Sequence, residues 1–367
     1  MISNIFSITN SENKKHKIIT ILGVKIKLQN PKFNNFRRDR SIISKTIFWD
    51  PEWYKEKYNH KNLTNAKALE YWYKKGWYEG ESPSKYINVE YCKNCTKGIN
   101  PIIAYLDKNL NFYVDNKNNY KDEADADRIK EYLEYKNTRK PQGVVYTCIT
   151  NDYDDLREIE IYKYIDKDWD YVCFTDNQEH INLGHIGIWE VRPLQFDKLD
   201  STRNNRYHKL NPHLLFPEYA QSIYIDSNIN ILTSYFFDEI KRRNLTLLLP
   251  SHYARCCIYQ EYSVVLEAGL DNKDLILEEQ NLLKRNNMPQ NYGMLENNLI
   301  YRKHNDPKVV TIDTEWWQMV KRYSKRDQLS LVYILFKHNI NPLDLSIENT
   351  RLDVENFYVF EHKKGRK

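Results

Sequence analysis

The stretch Ser222-Ile223-Tyr224-Ile225-Asp226-Ser227-Asn228-Ile229-Asn230-Ile231 places an acid at the end of an apolar, β-rich run. Residues i and i+2 of a strand share a face. Asp226 and Asn228 are therefore expected to present oxygens to one point, with Ser227 turned away. Oxygen donors in that arrangement suit a hard divalent cation, Mn2+ or Mg2+, which can also be shared with a diphosphate. His304, after the strand-like Asn298-Leu299-Ile300-Tyr301-Arg302, is the candidate third protein ligand, and Mn2+ tolerates imidazole better than Mg2+ does. An acid that closes a strand also serves as a turn residue or helix cap, and a lone histidine also serves as a core residue.

Upstream, Arg203, Arg206 and Lys209 are spaced by three, which puts them on one sector of a helix. Guanidinium forks and an ammonium in that sector could clamp a diphosphate. Thr150, Asn151, Asp152 and Tyr153 follow an apolar run, and Asp176 follows another. Their types suit a nucleoside, with Tyr153 stacking on the base. Downstream, Glu261 and Gln280 lie in a second polar region with His252 and Arg255. Trp316 and Trp317 precede Arg326-Asp327-Gln328. Asp327, Glu261 and Gln280 are the candidates for catalysis, Asp327 or Glu261 meeting an acceptor hydroxyl. Arg326, Gln328, Trp316 and Trp317 are the candidates for holding acceptor or phosphate.

These residues need elements to position them. Gly143–Thr150, Asp170–Thr175, Ile188–Arg192, Ser222–Ile225 and Thr246–Leu249 read as strands, and Ser201–Lys209 as a helix between two of them. Strands alternating with helices predict an α/β fold with a mainly parallel twisted sheet, in which ligands gather beyond the carboxyl ends of strands. Three of those ends carry Asn151, Asp176 and Asp226. Before this region, Lys17–Leu28 alternates around Gly23 as a small hairpin. Phe48-Trp49-Asp50-Pro51 reads as an N-cap followed by Pro at the first helical position. The expected order is a strand or hairpin with a basic linker (1–45), a small aromatic helical module (46–105), a charged connector (106–141), the α/β domain (142–345) and a basic tail (346–367).

Composition narrows the function classes. The net charge is +5, with basic residues spread along the chain, which argues against a nucleic-acid stripe. The basic ends, including Lys363-Lys364-Gly365-Arg366-Lys367, could touch an anionic inner membrane leaflet as peripheral contacts. The apolar run Ile18–Val24 is too short to span a bilayer. Six scattered cysteines, with a Cys92-x-x-Cys95 pair that lacks a second half-site, point to free thiols and a cytoplasmic home. The 29 tyrosines and 8 tryptophans suit sugar faces as well as cores.

Several blocks, taken in order, resemble one family. They are Val145–Thr150 with Tyr153-Asp154, Tyr171–Asp176, Arg203 to Pro212-His213, Tyr224–Ile229 and Ser324–Gln328. Over residues 143–340 the chain is similar to the glycosyltransferase-like family of bacterial surface-polysaccharide loci and plant pectin- and mucilage-related proteins. The segment from Phe48 to Tyr91 resembles aromatic units attached to bacterial polysaccharide glycosyltransferases. The resemblance implies a GT-A type domain. It also implies a nucleoside-diphosphate sugar donor, a divalent cation, and an oligosaccharide or lipid-linked acceptor of a surface or capsular polysaccharide. The chain departs from the family pattern at Ser227, where Gly is usual, and Asn228 stands where a full acidic motif has a second Asp. The competing reading is a non-catalytic carbohydrate-binding or scaffolding subunit that uses the aromatic module. A nucleotidyltransferase would need a Gly-rich phosphate loop, which Thr150-Asn151-Asp152 does not offer.

Overall fold

The computed structural model describes residues 6–10, 16–21, 24–29, 49–84, 124–156, 162–351 and 355–360, with residues 36, 39–40, 43–44, 89, 100, 353 and 362–363. The chain divides into two compact units, Met1–Tyr105 and Leu106–Lys367. The Cys92 and Cys95 pair and the last four residues of the basic tail lie outside the described residues.

In the first unit, β1 (Phe6–Asn10), β2 (His16–Ile21) and β3 (Val24–Gln29) form an antiparallel sheet in that order. The expected hairpin is therefore the β2–β3 half of a three-stranded sheet, paired Ile21↔Val24 to His16↔Gln29. Helix α1 (Pro51–Lys57) starts as its sequence dictates. The Asp50 carboxylate accepts from Trp53 N at 3.0 Å, and Pro51 takes the first helical position. Helix α2 (Asn65–Tyr71) is capped by Thr64 and runs into a π-turn at Trp72–Gly76. Trp49, Tyr54, Trp72 and Trp77 are buried. Tyr54 and Trp72 each lie within 5.2–5.7 Å, ring to ring, of Trp49. The indole N–H of Trp72 donates to Glu81 O at 2.8 Å. These rings make a core rather than an open platform.

The second unit holds β4 (Gly143–Ile149), β5 (Trp169–Thr175), β6 (His185–Ile186), β7 (Trp189–Pro193), β8 (Ser222–Ile225), β9 (Ile229–Ile231), β10 (Leu247–Pro250), β11 (Leu299–Arg302), β12 (Ser346–Ile347) and β13 (Phe357–Val359). Eight of them form one sheet in the order β12-β10-β11-β8-β4-β5-β7-β6, and β13 pairs with β9. Pairing is parallel from β8 through β4 and β5 to β7, and between β10 and β12. Strand β11 runs against both β8 and β10, and β6 against β7. The sheet is thus mainly parallel, as expected. All seven residues of β4 are buried, which is why this central strand reads as an unbroken apolar run.

Helices α3 (Asp125–Lys136), α4 (Gln178–Leu183), α5 (Ser201–Leu210), α6 (Tyr235–Arg243), α7 (Ile258–Glu267), α8 (Lys273–Arg285), α9 (Pro307–Arg322) and α10 (Leu331–Lys337) complete the unit. Side chains alternate along the strands. Val145, Ile149, Ile223 and Ile225 pack with Phe236 and Ile240 of α6 on one face. Val144, Tyr146 and Tyr224 pack with Leu210 of α5 and Trp316 of α9 on the other. The result is helices on both faces of a sheet. Cys148, Cys173, Cys256 and Cys257 are buried free thiols, in line with their reading as such. No described helix is long and apolar enough to cross a membrane.

Candidate active site at the carboxyl edge of the sheet

Helix α5 is tied to the central strand along its length. Tyr146 donates its hydroxyl to Lys209 O at 3.0 Å, Asn205 donates to Cys148 O at 2.5 Å, and Thr150 donates to Ser201 O at 2.9 Å. Asp200 caps the helix by accepting from Arg203 N at 3.1 Å. This docking turns Arg206 and Lys209, three apart, toward the ends of β4 and β8.

There they meet Asp327. Arg206 Nε lies 2.7 Å from Oδ1, and Lys209 Nζ lies 2.8 Å from Oδ2. Lys209 also lies 3.7 Å from the Asp226 carboxylate and 4.8 Å from the centre of the Tyr224 ring. Asp327 and Lys209 are almost wholly buried, whereas the Asp226 side chain keeps about 30% of its surface open. Burial alone would raise the Asp327 carboxyl, but the fields of Arg206 and Lys209 outweigh it and hold the group well below the usual carboxylate range. Burial would likewise lower the Arg206 guanidinium, and Asp327 holds it up. A carboxylate held ionised by two cations is a poor general base. Asp327 is therefore an anchor for the basic helix face rather than the expected catalytic group.

The segment that carries Asp327 is itself fixed. Asp271 accepts from Ser324 Oγ at 2.7 Å and from Lys325 N at 2.8 Å, and Trp316 donates its indole N–H to Asp327 O at 3.0 Å. Gln328 accepts from Asn297 N at 3.3 Å and donates to Leu295 O. It thereby splices this segment to the start of β11. Arg326 is half-buried, and its charge adds to the field on Asp327.

Asp226 sits in a turn rather than a strand. Ile229 N donates to Asp226 O at 3.0 Å, and Asp226 N donates to Asn298 O at 2.8 Å. The expected i, i+2 pairing of Asp226 with Asn228 fails because β8 stops at Ile225. Asn228 instead donates its side-chain amide to Phe360 O at 2.8 Å. His304 is a second correction. Leu299 pairs with Ile225 and Arg302 with Ser222, so β11 carries the chain away from Asp226. His304 comes out at the opposite edge, roughly 15 Å along the strand direction. It is buried there, with Nε2 3.0 Å from Phe216 O, and burial pushes it down to about 4. It cannot share a cation with Asp226.

Arg203 is also spent elsewhere. Its guanidinium donates to Val320 O at 3.0 Å and Tyr323 O at 2.7 Å, and pairs with Asp200 at 2.8 Å. It closes the C-terminus of α9 and is not a phosphate clamp. Trp316 and Trp317 are core residues, so neither is free to bind acceptor. Glu261 is buried against Arg255 at 2.6 Å, so its carboxylate is taken up by a guanidinium in the segment that follows β10. Gln280 accepts from Lys284 at 2.9 Å in a groove that it lines with Tyr259 and Ser263 of α7.

The loop after β4 is where the sequence pointed. Asn151 and Asp152 adopt left-handed backbone conformations, with φ of 56° and 48°. The Asp176 carboxylate accepts from Asn151 N at 2.9 Å and 3.0 Å, joining the ends of β4 and β5. Asn177 donates to Asp152 at 3.0 Å and caps α4. Tyr153 is 41% exposed. Beside it, Asp154 is buried and accepts from Ser227 Oγ, from His362 Nδ1 at 2.8 Å and from Lys363 N at 3.1 Å. Sequence reasoning missed His362. It lies 208 positions from Asp154, and nothing in local spacing marks it.

The family model of the TOD1/MUCI70 glycosyltransferase-like domain matches residues 112–362. A curated relative, the probable hexosyltransferase MUCI70 of Arabidopsis thaliana, is 26% identical over 209 residues, 51% of this chain and 36% of the relative. The chain thus spans about a third of that protein's length. Among solved structures, the apo WbbM bifunctional glycosyltransferase aligns at 14% identity with a TM-score of 0.34, over 57% of this chain and 38% of the other. Mouse xyloside xylosyltransferase 1 aligns at 8% identity with a TM-score of 0.34, over 57% and 85%. The family match covers more than half of the chain and includes Asp154, Asp226, Asp327 and His362 alike. The chain belongs to the TOD1/MUCI70 glycosyltransferase-like domain family.

Proposed function

We propose that the α/β unit is a GT-A type domain that transfers a hexosyl group from a nucleoside-diphosphate sugar to a hydroxyl of an oligosaccharide or lipid-linked polysaccharide precursor. The observation that carries this reading is the buried Arg206–Asp327–Lys209 network. It ends at the half-open Asp226 carboxylate on the carboxyl edge of a mainly parallel sheet. The name of the Arabidopsis relative supports the hexosyl class.

In such a transfer the leaving diphosphate gains negative charge, and stabilising that charge is the main electrostatic demand. Lys209 shares its charge between Asp327 and Asp226, and Arg326 supplies a further guanidinium at the same segment. These cations, held in a largely buried network, need little reorganisation when charge develops. The loop Asn151–Tyr153 and Asp176 would take the nucleoside, with the partly exposed Tyr153 ring against the base.

No three His, Cys, Asp or Glu side chains gather as a metal site among the described residues. A cation at this edge, Mn2+ or Mg2+, would take one carboxylate from Asp226 and its other oxygens from the donor diphosphate and water, without His304. Its chemistry would be to neutralise the departing diphosphate.

The binding-module reading loses Trp49, Tyr54, Trp72 and Trp77 as contact residues, because all four are buried. The test is release of nucleoside diphosphate from a panel of UDP-, GDP- and dTDP-hexoses by the purified full chain with Mn2+. Turnover of one donor, abolished by Asp226→Ala in a folded protein, is the expected result. No turnover and no donor-induced thermal shift across the panel would overturn the enzyme reading.

A further inference from the structure

The site described so far uses the ends of β4, β5 and β8. A fourth segment also reaches it, and it comes from far along the chain. Strand β13 pairs with β9 from Phe357↔Ile231 to Val359↔Ile229. At the end of that ladder the chain is locked to the Asp226 turn by two reciprocal bonds. Phe360 N donates to Asn228 O at 2.9 Å, and Asn228 Nδ2 donates to Phe360 O at 2.8 Å. Two residues on, His362 and Lys363 reach the loop after β4. His362 Nδ1 lies 2.8 Å and 3.1 Å from the two Asp154 oxygens, Lys363 N donates to Asp154 at 3.1 Å, and Lys363 Nζ lies 3.3 Å from Asp155. The His362 ring also lies 4.5 Å from the ring of Tyr153.

Asp154 is the hub of this arrangement. Its buried carboxylate accepts from Ser227, His362 and Lys363, so three chain segments meet on one group. A buried carboxylate needs such partners, and removing one leaves it short by a charge-assisted hydrogen bond. Among the described residues, His362 faces Asp154 and the Tyr153 ring, and Asp155 is met by Lys363 and His180. The clasp therefore fixes the backbone on either side of Tyr153.

Resting on the nucleotide-sugar reading above, we propose that Phe357–Phe360 together with His362 and Lys363 is part of the donor site. His362 is a positioning residue in it. Acting through Asp154, it sets the loop that receives the nucleoside. Docking of this segment and binding of a nucleoside diphosphate then favour one another, because both order the same loop.

The test uses the full chain with UDP, GDP and dTDP as probes. Calorimetry is expected to show that His362→Ala raises the Kd of the nucleotide bound by wild type about tenfold, the size of one charge-assisted hydrogen bond. His362→Gln, which can still donate to Asp154, is expected to recover part of that loss. Asp154→Asn combined with His362→Ala is expected to be no worse than the poorer single variant, since both break one link. Amide exchange supplies the readout that a purely structural clasp would not move. Nucleotide should slow exchange at Phe360 and Lys363 in wild type but not in His362→Ala. Unchanged affinity in His362→Ala, or no nucleotide effect on those amides in a wild type that binds nucleotide, overturns the clasp and leaves the transferase reading standing. A wild type that binds none of the three overturns both.

Discussion

Asp226 and Asp327 are two carboxylates beside one ammonium, and their surroundings give them different work. Asp226 keeps an open face, so Asp226→Asn should cut turnover about 100-fold or more while the thermal midpoint stays close to wild type; steady-state kinetics and a thermal melt read both. Asp327 is wholly enclosed by cations. Asp327→Ala strands the Arg206 guanidinium, leaves Lys209 only the Asp226 carboxylate at 3.7 Å, and should cost about 3–5 kcal/mol in urea unfolding. The pH dependence has a definite sign. Its folded-state value lies below the unfolded one, so its stabilisation is full above the ordinary Asp range near about 4 and is lost as pH falls toward the depressed value. Asp327→Asn should flatten that acid limb. His304→Ala, at the far edge, should lower stability by about 1–3 kcal/mol and leave nucleotide affinity unchanged.

At the scale of elements, α5 and α9 are joined by Arg203, which takes Val320 O and Tyr323 O where helical carbonyls run out of partners. Arg203→Ala should therefore reduce stability without a matching change in nucleotide Kd. Helix α8 carries Glu279, which burial pushes up to about 8 and which accepts from Ser324 N at 3.4 Å. Its folded-state value is above the unfolded one, so stability falls as pH rises from about 4.5 through 8. Glu279→Gln should remove that slope in melts between pH 5 and 9. The strands β4, β5 and β8 were legible because buried parallel strands are unbroken apolar runs, and α5 because its cap and period agree. What hid was direction and partnership. Nothing in Leu299–Arg302 tells that β11 runs against its neighbours, and that reversal removes His304 from the site. Arg203, Arg206 and Lys209 have equal spacing, yet only the packed structure separates the helix stopper from the two residues paired with Asp327.

For the whole molecule, the aromatic residues divide by use. Trp49, Tyr54 and Trp72 of the first unit and Trp316 and Trp317 of the second are all interior. These five rings build the two cores and are not sugar-facing surface. The carboxyl edge is drawn from residues 151 to 363, and its longest link joins Asp154 to Lys363 across 209 positions. Links of that span close late in folding, since the chain between them must first be ordered. All eight strands of the sheet precede β13 in the chain. A cut near residue 350 would therefore spare every strand of the sheet and remove the segment that closes on Asp154.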